Sequence, residues 1–195
     1  MQPNELFPVR FARNPLEDPS VILKLKRTPG IFLVGFMGSG KSTVGHALSE
    51  RLGWPFVDLD KEIERREGAT ISEIFESHGE PEFRRIESEV LKARVKYISG
   101  GRPNIVALGG GAFQSEANID LITHNGVSIW LDCPFDHLER RVAQATHRPL
   151  ARDPVQFRKL YESRRANYAR AEHRIEVHSD NPQHAVDEIL ALKLI

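Results

Sequence analysis

Apolar and polar positions along this chain repeat in the pattern of an α/β protein. Short apolar runs predict buried strands at residues 31–34, 55–59, 105–108, 127–131 and 174–177. Apolar residues between these runs recur at helical spacing, which predicts helices over residues 44–52, 61–67, 71–77, 83–95, 119–123, 134–145, 156–170 and 183–192. Alternating strands and helices predict a three-layer sandwich, in which a five-stranded parallel sheet is flanked by helices on both faces.

Local signals predict several element ends. Gly68 marks a break between two helices. Thr70 is placed to cap the second of them, with Glu73 completing a capping box. Pro134 suits the first turn of a helix. Residues 146–154 hold two prolines and few apolar anchors, which predicts a mobile loop.

Length and composition narrow the class of protein. We expect residues 31–195 to form one domain and residues 1–30, which hold five prolines, to form a partly ordered extension or one that packs on the domain. The chain has 27 basic and 27 acidic residues, so no global charge favours nucleic acid or a membrane surface as a partner. The single cysteine, Cys133, excludes an internal disulfide framework, and no apolar run is long enough to span a bilayer. We expect a cytoplasmic monomer, with a homodimer through the extension as the alternative.

The most informative motif follows the first strand. Gly35-Phe-Met-Gly-Ser-Gly-Lys41-Ser42-Thr43 matches the phosphate-binding P-loop, in the strand–loop–helix context that the motif requires. Glycines let the loop backbone approach a ligand, so that its N–H groups converge on an anion at the positive end of a helix. Lys41 is expected to reach the β- and γ-phosphates, and Ser42 to ligate Mg²⁺. Nucleotide contacts are therefore predicted at Gly38, Ser39, Gly40, Lys41, Ser42 and Thr43.

Two carboxylates follow the second predicted strand. Asp58 and Asp60 are two residues apart at a strand end, and such residues point to the same side. One carboxylate there can hold Mg²⁺ through water. The other can accept hydrogen bonds from substrate hydroxyls or take a proton from an attacking hydroxyl. The alternative for either residue is a simple helix cap.

Arg84 and Glu87 are spaced to pair on one helix. They are three residues apart, a spacing that brings side chains together. An arginine oriented in this way offers a planar fork to a carboxylate. The alternative is an ordinary solvated surface.

The remaining candidates are a glycine run and a set of arginines. Gly109, Gly110 and Gly111 follow an apolar strand, where ligands of parallel sheets bind, and they leave room for a substrate against bare backbone. Arginines that can meet phosphate or substrate charge are Arg141, Arg148, Arg164 and Arg165. Arg148 lies in the predicted mobile loop, and a closing loop can bring a cation to a transferring phosphoryl group.

Taken together, these motifs resemble the shikimate kinase family, a group of P-loop kinases. Gly-Phe-Met-Gly-Ser-Gly-Lys-Ser-Thr, Asp-Leu-Asp, Phe-Arg-Arg-Ile-Glu, Leu-Gly-Gly-Gly and Arg-Pro-Leu stand in the family's order, and the resemblance covers residues 31–192. It implies ATP and Mg²⁺ as cofactors and shikimate as the small-molecule substrate, phosphorylated to shikimate 3-phosphate. It implies shikimate contacts at Asp60, Arg84 and Gly110, with Arg84 on the substrate carboxylate and Glu87 orienting Arg84.

The resemblance also assigns the other charged residues. Asp58 would help Ser42 to hold Mg²⁺, Arg148 would reach the ATP phosphates, and Arg141 would lie near the adenine. A second arginine for the carboxylate belongs to an Arg-x-Pro-x-Tyr pattern, which here is Arg164-Arg-Ala-Asn-Tyr. Spacing favours Arg164, but an alanine replaces the proline, so Arg165 remains open.

Two rival functions follow from the P-loop alone. Another small-metabolite kinase, such as a gluconate kinase, would leave Arg84, Glu87 and the glycine run without a role. A nucleotide-binding regulatory protein without turnover would not need Lys41, Ser42 and both aspartates.

Overall fold

The computed structural model describes residues 30–143 and 153–194. Most of the predicted extension, most of the predicted mobile loop and Arg148 lie outside these residues. Gly30, assigned above to the extension, is instead the first residue of a strand.

The described chain forms five strands and seven α-helices. The strands are β1 (Gly30–Val34), β2 (Phe56–Asp58), β3 (Asn104–Ala107), β4 (Val127–Asp132) and β5 (His173–Glu176). The helices are α1 (Lys41–Leu52), α2 (Leu59–Glu67), α3 (Ile71–Ser99), α4 (Glu116–Asn125), α5 (Phe135–Ala143), α6 (Pro154–Tyr168) and α7 (Gln183–Ala191). A short 3₁₀ turn, Ala112–Gln114, precedes α4.

All strands are parallel, in the order β2-β3-β1-β4-β5. Because crossovers between parallel strands are right-handed, this order places α1 on one face and α3 and α4 on the other. The contacts agree, since α1 packs against α7 whereas α3 packs against α4. The sheet is therefore covered on both faces, and β1, which carries the P-loop, is central and fully buried. None of the helices in the described ranges is long and apolar enough to cross a membrane.

The second strand ends earlier than the apolar pattern predicts. It stops at Asp58, and Leu59 and Asp60 already belong to the first turn of α2. The Asp58 carboxylate accepts the backbone N–H groups of Asp60 and Lys61, which starts the helix. The prediction that both aspartates end a strand was therefore wrong for Asp60. The side-chain cap, an alternative for either aspartate, is the reason.

Helix α3 joins two predicted helices through a kink. The capping box of Thr70 and Glu73 is present at its start, as the sequence predicts. Gly79 then adopts φ 77° and ψ 173°, and Pro81 follows it. A non-helical residue with positive φ, two residues before a proline, interrupts the helix, so the segments on either side point in different directions. The first segment lines the cavity described next, and the second carries Arg84 and Glu87.

Candidate active site

A large cavity lies at the carboxyl ends of the strands. It has a volume of about 930 Å³ and is lined by the P-loop, by the ends of β2 and β3, by both segments of α3 and by α6. In a parallel sheet this is the edge where ligands bind, because the loops that follow neighbouring strands diverge there. The cavity is large enough for more than one small molecule.

The P-loop has the backbone of an anion-binding nest. Gly38 and Gly40 adopt φ 83° and 94°, in the region that favours glycine. Gly40 is the N-cap of α1 and supplies no side-chain hydrogen bond to the first turn. The first N–H groups of α1 can therefore meet a phosphate. The Lys41 ammonium donates to the carbonyls of Gly35 and Phe36 at 2.8 and 2.9 Å, which holds it against the loop.

Ser42 and Asp58 meet at the base of the cavity. The Ser42 hydroxyl donates to Asp58 Oδ2 at 2.6 Å, while Asp58 Oδ1 accepts from the start of α2. Asp58 therefore caps a helix and faces the P-loop at once. A hydroxyl and a carboxylate are hard oxygen ligands of the kind Mg²⁺ takes beside phosphates, so the donor set fits this ion.

Asp60 reaches the same cavity from the first turn of α2. A Cβ atom built on Gly109 would lie 2.6 Å from Asp60 Oδ1 and 2.6 Å from Glu87 Oε1. Both carboxylates therefore converge on the bare backbone after β3, and only glycine fits between them. The sequence predicted a close approach of substrate to this run, whereas the structure shows that protein side chains occupy part of that space.

Arg84 lies between two carboxylates of its own helix. Its Nη1 atom donates to Glu87 Oε2 at 2.8 Å, as the spacing predicts. Its Nε and Nη2 atoms donate to Glu80 Oε1 at 3.2 and 3.0 Å, a contact that the sequence analysis missed. The Glu80 side chain is 63% exposed, whereas that of Glu87 is 1% exposed. Arg84 thus has one fixed partner and one that solvent can replace.

Glu87 is a buried acid with an unsatisfied oxygen. Its Oε1 atom has no hydrogen-bond partner among the described residues. Burial raises the pKa of Glu87 above its ordinary range, and the nearby charge of Asp60 adds to this, although Arg84 and Arg164 oppose it. The Glu87 carboxyl group also bonds to Arg84 and lines the cavity. Its burial therefore costs folding free energy, while its contact orients the arginine.

Arg164 approaches the glycine run from α6. A Cβ atom on Gly110 would lie 3.2 Å from Arg164 Nη1, and a Cβ atom on Gly111 would overlap the Arg84 guanidinium. The two guanidinium groups therefore flank consecutive glycines. Tyr168, one turn after Arg164, donates its hydroxyl to the Gly110 carbonyl at 2.5 Å. Burial raises the pKa of Tyr168 to about 12, so this donor stays protonated.

The two candidate arginines of α6 point to different places. Arg164 lines the cavity. Arg165 donates from Nη1 and Nη2 to the two oxygens of Asp132 at 2.7 and 2.9 Å. Of this pair, the structure brings only Arg164 to the glycine run.

Arg141 bridges the P-loop to the loop after β5. It donates to the Gly38 carbonyl at 2.9 Å, to the Ser179 carbonyl at 2.9 Å and to Asp180 at 2.8 Å. It lines the cavity, as does Pro182 near the predicted adenine region. Ser39 is buried in the loop beneath, whereas Thr43 lines the cavity.

Several cavity residues escaped the sequence analysis. Phe75 and Phe83 stack at 4.5 Å between ring centroids and line the cavity, together with Ile71 and Ser72. The pattern of these segments predicted only helices, over residues 71–77 and 83–95. The kink at Gly79 is what turns the first segment of α3 towards the site, and a Gly two residues before a Pro was the signal for it.

Comparison with known proteins identifies a consistent set of relatives. Residues 37–193 match the family model described as shikimate kinase. The chain is 41% identical over 161 residues to a shikimate kinase of Persephonella marina, covering 82% of this chain and 96% of that one. It is 42% identical over 171 residues to a shikimate kinase of Cereibacter sphaeroides, covering 86% of this chain and 83% of that one.

A solved structure shows the same similarity in three dimensions. The shikimate kinase of Acinetobacter baumannii, determined in complex with shikimate, superposes with a TM-score of 0.79. It is 35% identical and covers 87% of this chain and 95% of its own.

Proposed function

The chain belongs to the shikimate kinase family, and on that premise we propose which of its side chains carry out the reaction. The enzyme phosphorylates shikimate with ATP, and the products are shikimate 3-phosphate and ADP. Two guanidinium groups that flank one glycine run carry the proposal for the substrate site. Two planar guanidinium groups can hold a carboxylate in a defined orientation. A substrate that carried only neutral hydroxyl groups would not need this pair of charges.

In this proposal Arg84 and Arg164 bind the shikimate carboxylate, and the backbone of Gly109, Gly110 and Gly111 lies along the ring. The buried Glu87 holds Arg84 from behind at 2.8 Å. Since Glu80 is exposed, the substrate carboxylate can replace it on the Nε edge of Arg84. Gluconate also carries a carboxylate, so the pairing of Arg84 with Glu87, used above against a gluconate kinase, does not by itself separate the two acids. The distinction depends on the fit of the ring in the cavity.

The nucleotide end of the cavity lies at the P-loop. We assign the phosphates to the loop N–H groups of Gly38, Ser39, Gly40 and Lys41 and to the first turn of α1 at Ser42 and Thr43. Arg141, held over the loop by Gly38, Ser179 and Asp180, lies at the side where the nucleotide base is expected. Arg148 is proposed as a phosphate contact and lies outside the described residues.

Ser42 and Asp58 would hold Mg²⁺, which neutralises charge on the phosphates when it is bound. Asp60 is proposed to orient the attacking hydroxyl and to accept its proton, because its carboxylate faces the cavity beside Gly109. Lys41 stabilises the negative charge of the transferring phosphoryl group. Positioning and charge neutralisation supply most of the rate in this class of reaction.

A coupled ADP-release assay over a panel of hydroxy acids tests the substrate. We expect turnover with shikimate and little with gluconate or with shikimate methyl ester, which has lost the carboxylate charge. Comparable turnover with the ester would contradict the role of the two arginines.

The matched pair Arg84→Lys and Arg85→Lys tests the site, because Arg85 is the next residue and pairs with the exposed Glu82 and Glu89 instead. Only Arg84→Lys should weaken shikimate binding, since lysine cannot reproduce a planar fork.

Magnesium dependence, a cytoplasmic location and the monomeric state stay predictions. Omission of Mg²⁺ from the same assay tests the first of them. Sedimentation of the full chain tests the last.

A further inference from the structure

Helix α6 presents two consecutive arginines to two different partners. Arg164 lines the cavity beside Gly110, and Arg165 turns towards the end of β4. Successive helical residues point about 100° apart, because a turn takes 3.6 residues. Because the two residues share one helix, a contact that fixes the rotation of α6 at Arg165 also sets the direction of Arg164.

Arg165 is held by a buried carboxylate. The Asp132 side chain is 6% exposed and accepts from both Nη atoms of Arg165. It also accepts from Arg174 of β5, at 2.9 Å from Nε and 2.7 Å from Nη2. Bidentate bonds between charged groups are short and directional, so this contact defines the position of Arg165 more closely than apolar packing alone.

A second contact on the same side of α6 supports the anchor. Tyr161, one turn before Arg165, donates its hydroxyl to the Cys133 carbonyl at 3.3 Å and accepts from Arg165 Nη1 at 2.5 Å. Arg165 also lies over the Trp130 ring, at 4.9 Å from its centroid. Tyr161 and Arg165 therefore dock one side of α6 onto the end of β4, while Arg164 and Tyr168 meet the glycine run on the other side.

We propose that Arg165 and Asp132 are positioning residues for shikimate binding, which hold the Arg164 guanidinium at the substrate carboxylate by fixing the rotation of α6. This inference rests on the proposed function, since the role of Arg164 belongs to it. Arg165 acts through Arg164 and does not touch the substrate. Asp132, at the end of an interior strand, supplies a fixed point because β4 is buried along its whole length.

Arg165→Lys tests the proposal, because it keeps the charge and loses the bidentate contact. We expect the KM for shikimate to rise roughly tenfold, which is within the range that a small misplacement of a binding group causes. The kcat and the KM for ATP should stay within about twofold. Arg174→Lys is the matched control, since it disturbs the same carboxylate from β5 rather than from α6, and it should leave the KM for shikimate within about twofold.

Equal increases in the KM for shikimate in both variants would overturn the proposal, because the ion pairs of Asp132 with Arg165 and Arg174 would then only stabilise the fold. An unchanged KM in Arg165→Lys would overturn it as well. Thermal unfolding of each variant identifies a global loss of structure. If Arg165→Lys proves unstable, Arg165→Gln and Arg174→Gln form the matched pair, in which each variant removes one charge from the Asp132 carboxylate.

A double-mutant cycle separates this proposal from the proposed function. Shikimate binding is measured by calorimetry for Arg164→Ala, Arg165→Lys and the double variant. If Arg165 acts through Arg164, Arg164→Ala weakens binding and the second substitution adds no further loss. Additive losses overturn the positioning role and leave the proposed function intact. Unchanged binding in Arg164→Ala would contradict the proposed role of Arg164, and the positioning role with it.

Discussion

Glu87 and Arg84 form a salt bridge at 2.8 Å in which the acid is 1% exposed and the base is 31% exposed. The acid thus carries the cost of burial, while the arginine remains accessible from the cavity. Burial raises the pKa of Glu87 despite the nearby arginine, so its ionised form is unfavourable for folding. Because Glu87 destabilises the fold but orients Arg84, its replacement should have opposite effects on stability and on binding.

Glu87→Gln should therefore stabilise the fold and weaken shikimate binding. The pKa of Glu87 is higher in the folded state than in the unfolded state, so protonation of Glu87 favours folding. This contribution to the free energy of unfolding is fully present below the unfolded-state pKa of about 4.3. This contribution is lost as the pH rises through the folded-state pKa. Glutamine resembles the protonated acid at every pH, so the variant should gain stability over the parent protein as the pH increases.

Urea unfolding from about pH 4 to pH 8 measures this difference. The free energies of unfolding of the two proteins should be closest at the acid end, and calorimetry at neutral pH should show weaker shikimate binding by Glu87→Gln. A stability difference that shrinks as the pH rises would contradict the account.

Glu80→Gln should strengthen shikimate binding. Glu80 occupies the Nε edge of Arg84, so the substrate carboxylate has to compete with it. An exposed pair is worth at most about 1 kcal/mol, so the Kd should fall by no more than about fivefold. Glu82→Gln is the matched control, because Glu82 pairs with Arg85 on the same helix. Weaker binding in Glu80→Gln alone would show that Glu80 supports Arg84 rather than competes for it.

Lys41→Ala should lower kcat by about a hundredfold or more, the scale for losing one charge-stabilising donor. Its ammonium is held by the carbonyls of Gly35 and Phe36 within the P-loop. Lys92→Ala, on the exposed side of α3, should leave kcat within about twofold. The coupled assay measures both variants, and thermal unfolding shows whether the fold is kept. Near-normal turnover in Lys41→Ala would contradict the assignment of this lysine.

Asp60→Asn should lower kcat by roughly a hundredfold or more, because the hydroxyl loses its proton acceptor. The affinity for Mg·ATP should change only a few-fold, since Ser42 and Asp58 remain in contact at 2.6 Å. Calorimetry with a non-hydrolysable ATP analogue and Mg²⁺ measures that affinity. A variant that loses nucleotide binding but keeps its kcat would assign Asp60 to the metal and Asp58 to another role.

The order of strands and helices was determined by the sequence itself. Continuous apolar runs mark strands buried on both faces, and a period of 3.6 residues marks helices, so these patterns located all five strands and separated them by helices. The P-loop, the capping box of Thr70 and Glu73 and the pairing of Arg84 with Glu87 are likewise local. Each depends on residues a few positions apart, whose spacing defines the contact before the chain folds.

Only the tertiary structure decided contacts between distant segments. Adjacent arginines such as Arg164 and Arg165 look alike in a sequence. Their partners, Gly110 and Asp132, come from the loop after β3 and from the end of β4. The end of β2 was likewise settled by the Asp58 carboxylate, which caps α2 and accepts from Ser42, a residue of another helix. Such contacts depend on the rotation of each helix against the sheet, which packing determines and residue spacing does not.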